Sequence, residues 1–113
     1  VFFIELATTI PEWAHGLSGR PSLKKSCGLL FVYTTEIPRS FWMKDMLFPI
    51  DVVLINQAMI VVGILSNLEP STLLNPPVFQ SGVPIFYALE VNAGEASNIK
   101  IGETLKVVRA IKR

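Results

Sequence analysis

Asp51 is the residue of this chain whose type and position most suggest chemistry. It interrupts an apolar run from Phe48 to Ile55, and on a strand it shares a face with Val53 and Ile55 because side chains alternate. A carboxylate on such a face loses its water and needs hydrogen bonds or an ion pair. Two interpretations stay open: an anchor that holds a neighbouring loop through backbone N–H groups, or a carboxylate at the edge of a pocket.

Four other side chains are of types that could share a site with Asp51. Arg20 follows a glycine-containing turn, and its planar guanidinium suits a carboxylate of the protein or of a ligand. Trp42 beside Lys44 would form a stacking surface if it faced outward, although core packing is the more ordinary role of a tryptophan. Glu90 lies by alternation on a solvent face or in a polar groove. We predict that Arg20, Trp42 and Asp51 border one concave surface, and that Lys44 and Glu90 complete the ligand-binding residues.

Three classes of function are compatible with these residues. The first is a module that binds a small polar or sugar-like ligand, or a surface, because aromatic and charged residues are interleaved with no catalytic motif beside them. The second is a hydrolase, glycoside-directed, whose acid and base are Asp51 and Glu90; this chemistry needs two carboxylates about 5 to 9 Å apart. The third is an interaction or accessory domain that docks a partner through an exposed apolar patch. The sequence leaves open whether the protein is an enzyme and identifies no catalytic residue.

Motifs for metals, nucleophiles and cofactors are missing from the sequence. One histidine, His15, and one cysteine, Cys27, are too few for a zinc or iron site. We expect His15 at the surface and Cys27 buried without a disulfide partner. The residues GLSGR at 16–20 have arginine where a nucleophile elbow has its second glycine, and no phosphate loop or dinucleotide fingerprint is present. The sequence therefore predicts neither a metal nor a cofactor.

Charge and hydropathy exclude two further classes of partner. Ten basic and nine acidic side chains give a formal net charge of +1, and basic residues gather only at Arg109, Lys112 and Arg113. Nucleic-acid binders usually present a concentrated positive face, so no nucleic acid is expected. The longest charge-free run, 52–68, is broken by polar residues and a glycine and does not predict a transmembrane segment.

The sequence starts with Val1 instead of Met, so we expect an export signal or a membrane anchor ahead of it. The oligomeric state and the compartment are left open.

Strands predominate among the elements that must position these side chains. The residue pattern predicts strands at 1–7, 27–33, 41–44, 50–56, 59–65, 86–91 and 104–111. Capping boxes predict two short helices. Thr9 and Glu12 predict one at 10–17, and Asn92 and Glu95 predict one at 93–98. The proline-rich stretch 66–84 predicts a loop that packs down as a lid. We therefore expect one domain over 1–113, mostly β or α+β, with a small barrel-like antiparallel or mixed sheet and two short helices.

Five short blocks occur along the chain in a fixed order. They are GLSGR at 16–20, GLLFVY at 28–33, FWMK at 41–44, PIDVV at 49–53 and LEVNAG at 89–94. In this order the chain resembles the family called domain of unknown function 192, over essentially its whole length. The family usually has methionine where this chain has Ser18 and Leu29. The resemblance implies a compact β-rich fold with two small helices, often behind an export signal or membrane anchor, and it implies no settled activity.

Overall fold

One open, mixed sheet of six strands makes up most of the structure, a computed structural model that describes residues 1–71 and 73–112. Thr72, in the predicted proline-rich loop, and Arg113, in the basic C-terminal group, lie outside the described residues. The elements follow one another as β1 Phe3–Ala7, α1 Ile10–His15, β2 Cys27–Trp42, β3 Ile50–Ile55, β4 Val61–Leu68, β5 Val78–Asn92 and β6 Ala110–Lys112.

The sheet is open because its outer strands, β4 and β6, do not pair with each other in the described part of the chain. The strand order is β4-β3-β5-β2-β1-β6. Strand β1 runs parallel to both β2 and β6, and the remaining neighbours pair antiparallel. The prediction of a mostly-β chain with a mixed sheet is confirmed, whereas the barrel is wrong. The sheet need not close into a barrel, because other segments cover both of its faces and bury the apolar side chains there.

Each face of the sheet carries its own core, because neighbouring residues of a strand point to opposite faces. On the face that we call the front, Phe31 and Val52 belong to a cluster that includes Trp13 of α1. On the other, the back face, Leu30 and Val53 belong to a cluster covered by the segment that follows β5. Every site described below therefore belongs to one face or the other.

Helix α1 begins where its capping box predicts. Thr9 Oγ1 accepts a hydrogen bond from the Glu12 backbone N–H at 3.4 Å, and Glu12 Oε1 accepts one from the Thr9 N–H at 3.1 Å. The helix ends at His15, two residues earlier than predicted, and Gly16 follows it with a φ of +53°. That left-handed conformation stops the helix and suits glycine.

The second predicted helix, at 93–98, is not formed, and this segment is a series of turns. The expected capping residues bond elsewhere: Asn92 Nδ2 donates to the Leu23 carbonyl at 2.7 Å, and Glu95 Oε1 accepts from the Ser26 N–H at 2.8 Å. Gly94 has a φ of +90°, which lies outside the helical region. Long-range bonds therefore override the local capping signal.

Strand β2 is one strand of 16 residues where the sequence predicts two, at 27–33 and 41–44. Its pairing with β5 shifts register between Val32 and Ile37 and again between Pro38 and Ser40. Such irregularities bend and twist a strand without ending it. The polar residues between the two predicted strands are therefore part of β2.

The proline-rich stretch 66–84 is loop only in its middle, since β4 extends to Leu68 and β5 begins at Val78. Pro84 faces Pro38 across the β2–β5 pair. Both prolines are tolerated because each strand has a free edge there among the described residues: β3 pairs with β5 only from Tyr87 onward, and β1 pairs with β2 only up to Phe31. The loop does not pack down as a lid: Leu74 is 96% exposed. The hypothesis that the protein is an interaction or accessory domain, which docks a partner through an exposed apolar patch, stays a prediction.

The predicted C-terminal strand at 104–111 is reduced to β6. Thr104 forms a bridge with Ile60 beside the β3–β4 hairpin, whereas Ala110 pairs with Ile4 near the opposite edge of the sheet. Residues 105–109 therefore run across the strands instead of along them, over the back face. We call residues 105–109 the crossing segment.

Candidate functional site

Asp51 is buried, with 3% of its surface exposed. Its Oδ1 accepts a hydrogen bond from the Asn67 N–H at 2.8 Å, and its Oδ2 accepts from the N–H groups of Gly94 at 2.9 Å and Ala96 at 3.2 Å. The predicted burial with at least two hydrogen-bond partners is confirmed. These bonds fasten the end of β4 and the turns after β5 to the middle of the sheet, which is the anchor interpretation.

Arg20 does not pair with Asp51. Its Nη1 and Nη2 donate to the two carboxylate oxygens of Glu5, at 3.1 Å and 2.7 Å, which is the bidentate geometry that arginine favours. The hydrogen bonds to Glu5 raise the pKa of Arg20, against the opposing effect of partial burial. Arg20 therefore joins the turn after α1 to β1.

Trp42 lies at the end of β2, opposite Val78 of β5, and is 51% exposed. The Lys44 ammonium lies 5.3 Å from the centre of the Trp42 ring, within the range of a cation–π contact. Trp42 therefore faces outward beside Lys44, as the stacking-surface interpretation requires, and core packing does not describe it.

A cavity of about 440 Å³ opens on the front face between α1 and β2. This volume lies within the range of small-molecule pockets. We call it the aromatic cavity, after a lining that includes Trp13, Phe31, Tyr33, Arg39, Trp42 and Glu90. Two of the five predicted ligand-binding residues line it. The other three, Arg20, Lys44 and Asp51, are absent from its lining within the described residues, so the predicted common surface of Arg20, Trp42 and Asp51 is not formed.

Glu90 is buried in the wall of the aromatic cavity, with 7% of its surface exposed. It lies opposite Leu29 of β2 and Val52 of β3, on the front face. A Cβ built on Gly16 would lie 3.9 Å from Glu90 Oε1 and 3.4 Å from the Phe31 ring. The carboxylate therefore lies close to the turn that ends α1, and its burial excludes the solvent-face interpretation of Glu90.

Arg39 supplies a positive charge to the same cavity. Its guanidinium carbon lies 4.1 Å from the centre of the Tyr33 ring and 5.7 Å from that of Trp13. Its Nη2 donates to the Thr35 carbonyl at 3.2 Å and to Thr35 Oγ1 at 3.1 Å. The Arg39 Nε is buried and has no hydrogen-bond acceptor among the residues that the structure describes. Buried donors normally have an acceptor, so this one calls for an explanation.

Tyr33 lines the aromatic cavity together with both charged residues. Its ring meets Trp13 edge-on, with ring centres 5.0 Å apart. Burial raises the pKa of the Tyr33 phenol well above its usual value, the charge of Glu90 raises it further, and the charge of Arg39 lowers it. The phenol is therefore neutral at physiological pH and sensitive to both neighbours.

The two carboxylates of the hydrolase hypothesis lie on opposite faces of the sheet. In the β3–β5 pair, Asp51 is opposite Val91, whereas Glu90 is opposite Val52. Paired residues of neighbouring strands share a face and consecutive residues do not. Asp51 and Glu90 are therefore separated by the sheet and do not flank one substrate bond as acid and base.

Three residues of the aromatic cavity, Trp13, Tyr33 and Arg39, were not among the predicted site residues. Alternation places Tyr33 on the same face as Phe31, which was a usable signal. The position of Arg39 depends on the register shifts within β2, and that of Trp13 depends on how α1 lies against the sheet. Neither can be obtained from local sequence.

His15 is exposed, as expected. Cys27 is a free cysteine, as predicted, but it is only partly buried, so its predicted burial is wrong. Within residues 1–71 and 73–112, no three His, Cys, Asp or Glu side chains are grouped as a metal site would require. The same residues contain no helix with the length and hydropathy needed to cross a membrane.

The chain belongs to the family named DUF192, described as "Uncharacterized ACR", whose model matches residues 1–107. The resemblance found in the sequence is thus confirmed. The family has no assigned activity, so membership supports the fold and leaves the function to be argued from the site.

Two solved structures are similar to this chain. A protein of unknown function from Novosphingobium aromaticivorans DSM 12444 is 29% identical, with a TM-score of 0.86, and the match covers 94% of this chain and 75% of that one. A "putative transcription regulator" from Sinorhizobium meliloti 1021 is 28% identical, with a TM-score of 0.84, and the match covers 91% of this chain and 79% of that one. No curated protein matches the chain in sequence.

Proposed function

We propose that the protein is a small-ligand-binding module whose site is the aromatic cavity, and that its ligand is a neutral, sugar-like molecule. One observation carries the proposal: a buried carboxylate, Glu90, and an arginine with an unsatisfied buried Nε, Arg39, line the same aromatic cavity. Aromatic faces, a strong acceptor and a strong donor are the groups by which proteins orient a small polar ligand.

The opposite charges of Glu90 and Arg39 favour a neutral ligand. An ionised carboxylate only accepts hydrogen bonds and a guanidinium only donates them, whereas a hydroxyl group does both. A hydroxyl group can therefore donate a hydrogen bond to Glu90, and a second hydroxyl group can accept one from Arg39 Nε. An anion would be repelled by Glu90, and a cation would be repelled by Arg39.

Trp42 supplies an apolar surface for such a ligand. A tryptophan that is half exposed and lines a cavity offers its ring to the apolar side of a sugar. Lys44, which does not line the cavity, contacts the same Trp42 ring through its ammonium group. A nucleic-acid ligand, which the description of the Sinorhizobium meliloti relative would suggest, is disfavoured by a formal net charge of +1.

The proposal is tested by intrinsic tryptophan fluorescence and calorimetry with glucose, galactose, N-acetylglucosamine, maltose and cellobiose. We expect at least one sugar to bind, and Glu90→Gln to weaken it by about tenfold or more, since a hydrogen bond to a charged group contributes about 1.5–3 kcal/mol. Trp42→Ala should weaken it as well.

Arg20→Gln is the matched control, because Arg20 pairs with Glu5 outside the cavity. It should leave the affinity unchanged. Binding of none of these sugars, or an equal loss in Arg20→Gln and Glu90→Gln, would contradict the proposal. Binding of free amino acids in place of sugars would show that the ligand is zwitterionic and that the sugar-like class is wrong.

A further inference from the structure

A second cavity, of about 450 Å³, opens on the back face of the sheet. Its floor consists of Leu30, Ile55 and Leu89, which are buried residues of the three neighbouring strands β2, β3 and β5. Exposed apolar side chains, among them Phe3 and Val108, also line it. We call it the apolar cavity. It shares no lining residue with the aromatic cavity among the residues described.

Two charged side chains line the apolar cavity within the described chain, and both are basic. They are Lys106 and Arg109 of the crossing segment. The ion pairs formed by residues 1–71 and 73–112 are Arg20–Glu5 and Lys112–Glu12. Lys106 and Arg109 thus take part in neither pair. The cavity therefore combines an apolar floor with uncompensated positive charge.

The crossing segment leaves the apolar cavity partly open. It is held at one end by the bridge of Thr104 to Ile60 and at the other end by the pairing of Ala110 with Ile4. Between these two attachments, Val107 and Val108 line the cavity and are exposed.

We propose that the apolar cavity binds the alkyl chain of a single-chain anionic amphiphile, a fatty-acid carboxylate, whose head group contacts Lys106 and Arg109. Burial of the alkyl chain against Leu30 and Leu89 supplies the driving force. The two cations select an anionic head group over a neutral or cationic one. This site is independent of the sugar-like ligand proposed for the aromatic cavity.

The test compares three probes that share one alkyl chain and differ in head group: laurate, dodecyl maltoside and dodecyltrimethylammonium. Each is titrated into the full chain below its micelle-forming concentration, with binding followed by calorimetry. We expect laurate to bind about tenfold more tightly than the maltoside, and dodecyltrimethylammonium to bind most weakly. The advantage of laurate should shrink as salt is added.

Charge reversal identifies the residues responsible. The double variant Lys106→Glu with Arg109→Glu should weaken laurate about tenfold or more and leave the maltoside unchanged. The matched control is Lys24→Glu with Lys25→Glu, two exposed lysines outside the cavity lining, which should leave both affinities unchanged. Glu90→Gln should leave laurate binding unchanged, so failure of this proposal and failure of the sugar site are distinguishable.

Methyl NMR of the laurate complex locates the alkyl chain. The methyl signals of Leu30 and Leu89 should shift, while that of Leu17, which lines the aromatic cavity, should not. Equal affinity for the three probes would overturn the proposal, as would an unaffected charge-reversal variant or shifts centred on Leu17. Binding to vesicles of phosphatidylglycerol without binding to monomeric laurate would also overturn it, since the site would then be a membrane surface.

Discussion

Asp51 and Glu90 are both buried carboxylates on adjacent strands of one sheet, yet their surroundings differ. Asp51, on the back face, accepts three backbone hydrogen bonds and holds two segments together. Glu90, on the front face, lies in the wall of a cavity beside aromatic rings and Arg39. Burial alone therefore does not tell a structural carboxylate from a ligand-binding one; the groups around the carboxylate do.

The largest expected effect is on stability, through Asp51. Asp51→Ala should lower the free energy of unfolding by on the order of 1–3 kcal/mol, because buried N–H donors lose their acceptor. Asp51→Asn keeps one acceptor oxygen and should cost less. Urea denaturation measures both.

Glu90→Gln is the comparison for these variants, and it should destabilise the protein less than Asp51→Ala, because an amide keeps the shape of the side chain in the cavity. Unchanged unfolding midpoints in both Asp51 variants would show that the three hydrogen bonds are not needed for stability, and the distinction between the two carboxylates would fail.

A smaller effect is expected on the front face, in the titration of Tyr33. After burial, the charge of Glu90 is the next cause that raises the pKa of Tyr33. Glu90→Gln should therefore lower this pKa, as measured by tyrosinate absorbance against a Tyr33→Phe reference. Asp51→Asn should leave it unchanged because Asp51 lies on the other face. An equal shift in both variants would contradict the separation of the faces.

The raised pKa of Tyr33 also predicts how stability depends on alkaline pH. The folded phenol holds its proton more tightly than the unfolded one, whose pKa is about 10. The corresponding stabilisation is complete below that pH and is lost as the pH rises above it. In Glu90→Gln the alkaline loss of stability should be shallower than in the parent chain.

The smallest effect is expected at Glu12, a partly buried carboxylate at the start of α1. Its hydrogen bond from the Thr8 backbone N–H, then that from the Lys112 ammonium, lower its pKa from 4.5 to about 2. Lys112→Gln should raise this pKa only partway, since the Thr8 bond persists; carboxyl NMR shifts measure it. The contribution of Glu12 to stability should be lost as the pH falls from about 4.5 towards 2, where the folded carboxylate is protonated.

Local signals in the sequence predicted local structure. The capping box of Thr9 and Glu12 is closed within four residues, and it formed as expected. The similar signal at Asn92 and Glu95 failed because Leu23 and Ser26, about seventy positions away, take the same polar groups. A pattern read over a few residues contains no information about such competitors.

The site was predicted only in part for the same reason. Alternation along β3 and β5 correctly marked Asp51 and Glu90 as unusual, because one strand suffices for that inference. Which face each occupies depends on the register between the two strands, and the Arg20–Glu5 pair depends on how β1 lies beside β2. The strand register and the strand neighbours are features of the tertiary structure. The prediction from sequence therefore assigned to one surface residues that lie on different faces of the sheet.

The crossing segment is held to the sheet at both ends, by the bridge of Thr104 to Ile60 and by the pairing of Ala110 with Ile4 in β6. Strand β6 has only three residues, and short edge elements open locally more readily than the long strands of a sheet. Opening of β6 would release the crossing segment from the back face and carry Lys106 and Arg109 away from it in the same step.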